Sequence, residues 1–211
     1  MKEEEQLLYV RRLKAAGIQE RHLQDWTFAS ATDTPSIQMA KRYTENWKKV
    51  KAENLGLLLW GDVGTGKSFL AACIANALLE KGVPVLMTNF SKILNQMGAM
   101  YSDERYRYIA SFNRFSLLII DDLGIERNTE YALEQVYAVI DERYKTGLPL
   151  IITTNLTISQ LRNPEDVAHA RIYSRVLEMC TPVHVPGHDR RTTIGKSKQE
   201  LVKEALSLIH I

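Results

Sequence analysis

One eight-residue segment, Gly-Asp-Val-Gly-Thr-Gly-Lys-Ser at residues 61–68, constrains the fold of this 211-residue chain more than any other. Its three glycines favour a tightly turned loop. An unbroken apolar run at residues 55–60 precedes the loop, and a helical pattern at residues 67–81 follows it. The sequence therefore predicts a buried strand, a tight loop and a helix in immediate succession.

Three further apolar runs lie downstream, separated by segments of helical periodicity. Runs without polar alternation are typical of parallel strands that are covered on both faces. The repeated strand and crossover helix predict an α/β fold with a parallel sheet. The predicted strands are residues 55–60, 83–88, 117–120 and 148–153, with a short segment at 182–185, and the predicted helices are 2–16, 35–50, 67–81, 91–100, 103–112, 129–146 and 164–179.

Composition places the chain among soluble folded proteins, with 45% hydrophobic and 25% charged residues. A net charge of +2 is too small to indicate nucleic acid by itself. No apolar run approaches the length of a membrane span, and no hydrophobic signal core follows residues 1–6. We therefore expect a cytoplasmic protein without membrane contact. Cys73 and Cys180 have no neighbour at metal-ligand spacing and are expected to be buried thiols.

The loop matches G-x-x-x-x-G-K-[ST] at every fixed position, in the strand and helix context that this motif requires. Its amide N–H groups and the N-terminus of the following helix are suited to bind phosphate oxygens. Lys67 is expected to reach the β- and γ-phosphates and Ser68 to bind Mg²⁺. The sequence thus predicts binding of ATP and Mg²⁺ by Gly61, Asp62, Val63, Gly64, Thr65, Gly66, Lys67, Ser68 and Phe69.

Polar side chains follow two of the predicted strands. Asp121 and Asp122 end the run 117–120, which places them at the carboxyl edge of the sheet beside the loop. Asp121 fits a Mg²⁺-associated carboxylate, and Asp122 fits a base or an orienting group for the attacking water. Alternatively, Asp122 caps the loop before Gly124. Asn155 follows the next strand, where its amide either holds the water or a γ-phosphate oxygen or forms an Asx-type turn.

Arginines on the last predicted helix are further candidates. Arg171 and Arg175 are four residues apart and so share a helix face. They are suited to stabilise charge during phosphoryl transfer, or they are solvated surface residues. Arg190 and Arg191 carry the same ambiguity. Upstream, two helices fill the interval between the second and third strands where one would suffice, which marks residues 91–114 as an insertion.

Together these segments resemble the AAA+ ATPases of the DnaC and DnaI helicase-loader group, with the IstB transposition helper as a near relative. The resemblance covers about residues 16–191. It rests on the loop, Gly17-Ile18 through Trp26-Thr27-Phe28, Leu-Ile-Ile-Asp-Asp-Leu-Gly at 118–124, Thr153-Thr-Asn155, Arg171-Ile-Tyr-Ser-Arg175, and Val-Pro-Gly-His-Asp-Arg-Arg at 185–191.

The resemblance implies a three-layer α/β/α P-loop NTPase of the ASCE type, with a five-stranded parallel sheet and a reduced or absent C-terminal lid. It implies three units along the chain. Residues 1–50 would be an N-terminal helical segment, a remnant or linker of a helicase-binding region. Residues 51–191 would be the AAA+ ATPase domain, and residues 192–211 a polar tail.

Residue roles also follow from the resemblance. Asn155 resembles sensor 1, and Arg175 resembles an arginine finger that reaches the nucleotide of a neighbouring subunit, with Arg171 as a second candidate. Arg190 and Arg191 are the nearest candidates for a sensor 2 arginine. The insertion is similar to an element that lines a single-stranded DNA path, and its candidate DNA-binding residues, interleaved with tyrosines, are Lys92, Arg105, Arg107 and Arg114. A solvated helix face with core tyrosines is the alternative.

The resemblance implies a weak ATPase that acts as a helicase loader in DNA replication. The implied partners are a DnaB-type replicative ring helicase, single-stranded DNA and further copies of this chain. An IstB-like transposition helper and an ATP-binding switch with negligible turnover are the alternatives. A small GTPase is disfavoured because Thr154-Asn155-Leu156-Thr157 does not supply the Asn-Lys-x-Asp segment that selects guanine. A metabolite kinase would usually lack the paired Asp121 and Asp122.

Overall fold

Five parallel strands form one sheet in the order β2-β3-β4-β1-β5. The computed structural model describes residues 2–124, 129–187, 189 and 200–202. The α/β class and the five-stranded parallel sheet expected from the sequence are confirmed. The strands are β1 Gly56–Trp60, β2 Val85–Asn89, β3 Leu117–Leu123, β4 Leu150–Thr154 and β5 Cys180–His184.

Helices connect these strands and cover the sheet. Polar side chains cap several of them, and one example is Thr34, whose hydroxyl accepts the Ile37 N–H at 3.3 Å. Within the described residues, two 3₁₀ turns, Phe28–Ser30 and Ser111–Arg114, accompany the α-helices. In the described part of the chain the α-helices are α1 Lys2–Gly17, α2 Arg21–Gln24, α3 Pro35–Glu45, α4 Trp47–Ala52, α5 Lys67–Glu80, α6 Phe90–Met97, α7 Ser102–Ala110, α8 Glu130–Thr146, α9 Ile158–Arg162 and α10 Val167–Met179.

Local polar contacts explain where helix boundaries differ from the prediction. The helix predicted over residues 35–50 is broken at Asn46, whose side chain donates to the Arg42 carbonyl at 2.8 Å. The last long helix begins at Val167 rather than at residue 164, because the Asp166 carboxylate accepts the His169 N–H at 2.8 Å and caps it. Boundaries of this kind depend on single side chains.

The third strand extends beyond its predicted end at residue 120. It continues to Leu123, and its register against β4 shifts between Ile120 and Leu123. Such a shift is typical of a β-bulge, which redirects the strand locally. Asp121 and Asp122 therefore lie in the final, irregular part of the strand rather than after it.

Alternate residues of β1 face two separate apolar layers. Leu57 and Leu59 belong to one buried cluster with Leu70 of α5, whereas Leu58 belongs to a second cluster with Ile140 of α8 and Ile172 of α10. This alternation follows from the strand period of two. The sheet is thus covered on both faces, as the three-layer architecture requires.

The segment before β1 packs onto the same layer as α5. Ile18, Ile37 and Trp47 are buried there, and Ile18 forms an isolated parallel bridge with Met87 of β2. The Asn76 side chain donates to the Leu23 carbonyl at 2.8 Å and to the Trp26 carbonyl at 3.0 Å. These contacts hold residues 18–26 against α5 and β2, while the division of the chain at residue 50 stays a prediction.

Both cysteines are buried free thiols, as their apolar surroundings predict. Burial raises the pKa of the Cys73 thiol to about 12. Across residues 2–124, 129–187 and 200–202, no helix combines the length and the apolar character that crossing a bilayer requires.

A buried guanidinium ties the last turn of α8 to the sheet. Arg143 is 1% exposed and donates to the Pro149 carbonyl at 2.8 and 3.2 Å. It also donates to the carbonyls of Phe115 and Ser116, both at 3.1 Å. Burial lowers its pKa to about 10, which leaves it protonated at neutral pH. Arg143 thus satisfies three carbonyls at the starts of β3 and β4.

We predict that Arg143→Met lowers the free energy of unfolding by about 3 kcal/mol, because the buried carbonyls lose their charged donors. Chemical denaturation of the two proteins measures this difference. Arg162→Met is the matched control, since Arg162 lies exposed on α9. Equal losses in the two variants would contradict the structural role of Arg143.

Candidate nucleotide-binding site

The loop at residues 61–68 lies at the carboxyl edge of the sheet, where the strand order brings the predicted site together. It follows β1, whose last residue Trp60 pairs with Thr154 of β4 on one side and His184 of β5 on the other. Asn155 comes directly after β4, and Asp121 lies in β3, the next strand across. The sequence thus correctly predicts that these residues share one edge.

Glycines allow the loop to turn directly into α5. Gly64 and Gly66 have φ values of 79° and 99°, in the left-handed region that favours glycine. Gly66 is the N-cap residue of α5, and a Cβ placed on it would have no atom within 4 Å. The N-terminus of α5 therefore borders open space, with backbone N–H groups of the type that bind phosphate.

The Lys67 side chain joins the loop to the end of β4. Lys67 is only 5% exposed. Its Nζ donates hydrogen bonds to the carbonyls of Gly61 at 2.9 Å and Asp62 at 2.7 Å. The same Nζ donates to the Asn155 Oδ1 at 2.7 Å. The structure thus brings Lys67 and Asn155 into direct contact, and the ammonium lies inside the loop where a phosphate group would bind.

A threonine hydroxyl links both acidic residues to β4. Thr153 Oγ1 donates to Asp121 Oδ1 at 2.6 Å and accepts the Asp122 N–H at 2.9 Å. Thr153 is fully buried. Thr153 belongs to the family-like segment Thr153-Thr-Asn155, but its bridging role was not predicted from the sequence. The available signal was a hydroxyl at the end of an otherwise apolar strand.

Burial is the main reason that the pKa of Asp121 lies above its usual value. Hydrogen bonds from Thr153 and Ser68 lower this pKa, whereas the nearby carboxylates of Asp122 and Glu20 raise it. A partly desolvated carboxylate beside a hydroxyl is stabilised in its charged form by a divalent cation. Asp121 and Ser68 are therefore chemically suited to hold Mg²⁺.

Asp122 has an unusual backbone conformation. Its φ of 61° is left-handed, which few residues other than glycine, asparagine and aspartate adopt. It lies within the bulge of β3 and lines the same cavity as Ser68 and Asp121. Left-handed residues of this kind concentrate at functional sites. The conformation agrees with a role at the site but leaves the choice between base and loop cap open.

Two cavities flank the start of α5, and neither is predictable from the sequence. One of about 220 Å³ is lined by Ser68 and the two aspartates, and also by Glu20 and Trp26. The other, of about 350 Å³, adjoins Gly66 and Phe69 and is lined further by Thr34, Pro35, Ile37 and His184. A cavity with apolar walls next to a phosphate site is suited to a nucleobase. The spacing of residues along the chain does not predict either cavity, because each cavity is formed by segments that are far apart in the sequence.

The predicted arginine finger makes its contacts within its own chain. Arg175 Nε donates to Asp141 Oδ1 at 2.9 Å, and its Nη2 donates to the Tyr137 hydroxyl at 2.9 Å. None of its hydrogen bonds to described residues reaches the phosphate loop. The Arg171 side chain is exposed on the same helix. Arg190 and Arg191 lie outside the described residues.

The four candidate DNA-binding residues do not form one continuous group. Lys92 pairs with Glu20, which lines the same 220 Å³ cavity as Asp121 and Asp122. Lys92 also shares a neighbouring cleft of about 230 Å³ with Arg114. Arg105 Nη1 donates to the Tyr131 hydroxyl at 3.1 Å, on α8. Arg107 is exposed on α7. Only Lys92 and Arg114 are therefore brought to the same cleft.

A model of the family described as IstB-like ATP binding protein matches residues 2–198. The chain belongs to this family. The replicative helicase loader DnaI of Bacillus subtilis is 28% identical over an alignment of 162 residues, which covers 72% of this chain and 50% of DnaI. An ATP-binding protein in an insertion sequence of Mycobacterium tuberculosis is 25% identical over 147 residues, 69% of this chain and 57% of that protein. The chain thus spans about half the length of these curated relatives.

A solved structure supports the same fold. The crystal structure of DnaI matches with a TM-score of 0.67 at 23% identity, over 85% of this chain and 99% of that chain. The chain therefore has the fold of AAA+ P-loop domains, as the motifs predict. The resemblance to the DnaC and DnaI loaders and to IstB is confirmed at the level of the family.

We predict that Thr153→Val weakens Mg²⁺-dependent nucleotide binding by about 10-fold to 100-fold, as is usual when a bond that orients a metal ligand is lost. The Thr153 hydroxyl favours the charged form of Asp121, so its removal raises the pKa of Asp121 further. The acid limb of Mg²⁺-dependent binding therefore moves to higher pH. Titrations with a fluorescent nucleotide, over a pH series that begins below the ordinary pKa of a carboxyl group, measure both effects.

Thr154→Val is the matched control for this variant. Thr154 is equally buried, but its hydroxyl donates to the Leu123 carbonyl at 2.7 Å instead of to a carboxylate. It should leave the acid limb in place. An identical acid limb for wild type and Thr153→Val would contradict the proposed link.

Proposed function

We propose that this protein binds and hydrolyses ATP as an AAA+ switch, and that it acts in loading a ring helicase onto single-stranded DNA. The observation that carries the ATPase assignment is the meeting of three strand ends. Lys67, in the segment after β1, donates a hydrogen bond to Asn155, which follows β4. Thr153 of β4 donates a hydrogen bond to Asp121 of β3. A phosphate-binding cation, a polar amide and a metal-binding carboxylate therefore share one edge.

Each residue has a defined task in this mechanism. The loop amides and Lys67 bind the β- and γ-phosphates of ATP. Ser68 and Asp121 would hold Mg²⁺, which supplies charge stabilisation to the phosphate oxygens when bound. Asp122 orients the attacking water and accepts its proton. Asn155 holds that water or a γ-phosphate oxygen, and releases Lys67 as the phosphate takes its place.

The adenine base is assigned to the 350 Å³ cavity beside the loop. Phe69 and Pro35 give it apolar walls, and Thr34 and His184 add polar atoms at its edge. The family description as ATP-binding supports this choice of base. The chain also lacks the Asn-Lys-x-Asp segment for guanine at the end of its fourth strand.

We predict that Asp122→Asn retains ATP binding and loses about 100-fold or more in turnover, because an amide does not accept the proton of the attacking water. Asparagine tolerates the left-handed backbone at this position, so the change is mild for the fold. Phosphate release and nucleotide affinity are measured on the same samples. Unchanged turnover would leave Asp122 as a loop cap.

The loader assignment is supported by the relatives. The DnaI protein of Bacillus subtilis, which matches over 72% of this chain, is named a replicative helicase loader. In this role ATP binding orders neighbouring subunits around DNA and a DnaB-type helicase, with Arg175 of one subunit completing the ATP site of the next. Hydrolysis or ADP release ends the engagement. ATP turnover is then slow, since the time to hydrolysis sets how long the subunits stay engaged.

The insertion offers the surface for single-stranded DNA. Tyr101 and Tyr106 are 81% and 72% exposed, beside the exposed Arg107. Exposed aromatic rings stack on bases and arginines neutralise phosphates, without a need for base sequence. This combination supports DNA binding at α7 more directly than Lys92 or Arg105 does, because both of these already have partners in the chain.

We predict that the double variant Tyr106→Ala and Arg107→Ala binds an oligothymidine about 10-fold more weakly, from the loss of one stacked base and one phosphate contact. Fluorescence anisotropy at several salt concentrations measures this affinity. Arg162→Ala on α9 is the control with the same charge change. Equal affinities for wild type and double variant would remove α7 from the DNA surface.

A transposition helper is the second candidate function. The family description and the insertion-sequence relative from Mycobacterium tuberculosis both favour it. The two functions differ in their protein partner. Co-purification with a DnaB-type helicase and with an insertion-sequence transposase, each with ATP, ADP and no nucleotide, separates them. Nucleotide-dependent binding to the transposase alone would overturn the loader assignment.

A further inference from the structure

The guanidinium of Arg175 is held by three hydrogen bonds that use different nitrogens. Nε donates to Asp141, Nη2 donates to Tyr137, and Nη1 donates to the Arg171 carbonyl at 3.1 Å. A guanidinium has five N–H donors. Among the described residues, one N–H on each terminal nitrogen therefore remains without an acceptor. The side chain of Arg175 is 27% exposed.

Two tyrosine rings of α8 fix the orientation of this group. The guanidinium carbon lies 4.7 Å from the ring centroid of Tyr137 and 5.7 Å from that of Tyr144. Tyr144 is itself held, because its hydroxyl donates to the Glu178 carboxylate at 2.8 Å. Contacts of this type favour one plane for the guanidinium. Arg175 is consequently pre-oriented rather than freely rotating.

Asp141 provides the charged support for this arrangement. Its side chain is 14% exposed, and it binds Lys145 at 2.6 Å in addition to Arg175. The hydrogen bond from Lys145, followed by that from Arg175, holds the pKa of Asp141 below its usual value. Asp141 thus stays ionised at neutral pH, and it bonds the Nε side of the guanidinium rather than the two terminal nitrogens.

We infer that Asp141 is a positioning residue, which holds Arg175 so that its two remaining donors bind the terminal phosphate oxygens of a nucleoside triphosphate in a second copy of this chain. This inference rests on the proposed function, since it requires that Arg175 act between subunits. Pre-orientation matters because an unsupported arginine must lose its rotamer freedom when it binds. A bidentate contact to a phosphate also requires a defined plane.

The opposite role, a lock that hides Arg175, fits the contacts less well. A lock would engage the terminal nitrogens, which are the groups that bind phosphate in a fork geometry. Here the carboxylate takes Nε, and each terminal nitrogen gives only one N–H to a neutral oxygen. Over a quarter of the side chain also remains exposed. The charged group is therefore supported from one side and accessible from the other.

Mixed subunits test this inference without disturbing the catalytic site that is measured. The acceptor is Arg175→Ala, which has an intact ATP site but no finger. The donor is Lys67→Ala, which has an impaired ATP site but keeps Arg175. Turnover by the acceptor is then measured as the donor is titrated. The proposed function requires that the donor restore turnover. Failure to do so overturns both that function and the inference.

The decisive donor carries Asp141→Ala in addition to Lys67→Ala. We expect about 10-fold lower turnover at saturating donor, with an unchanged half-saturating donor concentration, because orientation is lost while the interface remains. A donor with Lys145→Ala is the matched control, since it removes the other partner of Asp141 and leaves the Arg175 contacts. A donor with Asp141→Glu should recover part of the turnover. Thermal unfolding confirms that each donor is folded.

The two possible failures are distinguishable. If the Lys67→Ala donor restores turnover and the Asp141→Ala donor does so equally well, Arg175 acts between subunits but Asp141 does not position it. If the Asp141→Ala donor restores more turnover than its parent, the contact is a lock and the inference is wrong. A change confined to the half-saturating concentration would assign Asp141 to the interface instead.

Discussion

The contact between the Lys67 ammonium and the end of β4 is the interaction on which the site depends. A lysine that is 5% exposed must have acceptors for its charge, and here two loop carbonyls and the Asn155 amide provide them. The contact is possible only because β4 is the direct neighbour of β1 in the sheet. The strand order therefore determines which polar side chains meet the phosphate loop, and a different order would separate them.

Much of the fold and part of the site are predictable because they follow from local patterns. Continuous apolar runs predict four of the strands. Polar residues directly after two of these runs predict that Asp121 and Asn155 lie at the carboxyl edge of the sheet. The break at Asn46 and the start of α10 at Val167 were not predicted, since each depends on one side-chain hydrogen bond. Local periodicity contains no information about such bonds.

The contacts that sequence reasoning missed connect residues far apart in the chain. Thr153 bonds Asp121, and Glu20 pairs with Lys92 beside the same cavity. Spacing also placed Arg171 and Arg175 on one helix face without indicating that Asp141 of α8 would bind only the second of them. Side-chain partners of this kind follow from packing, so a basic residue in a sequence does not by itself mark a free charge.

The sheet order also determines when the nucleotide site forms during synthesis. Among the described strands, the one that carries the phosphate loop comes first, whereas its two neighbours, β4 and β5, come last, with Leu57 paired to Ile151 and to Thr181. Until β4 and β5 have left the ribosome, β1 has no partner strand to pair with, and Lys67 cannot contact Asn155. Such long-range pairing forms late in folding. A nascent chain would therefore acquire nucleotide affinity only after β5 has emerged, so nucleotide would stabilise the complete sheet and not a partial one.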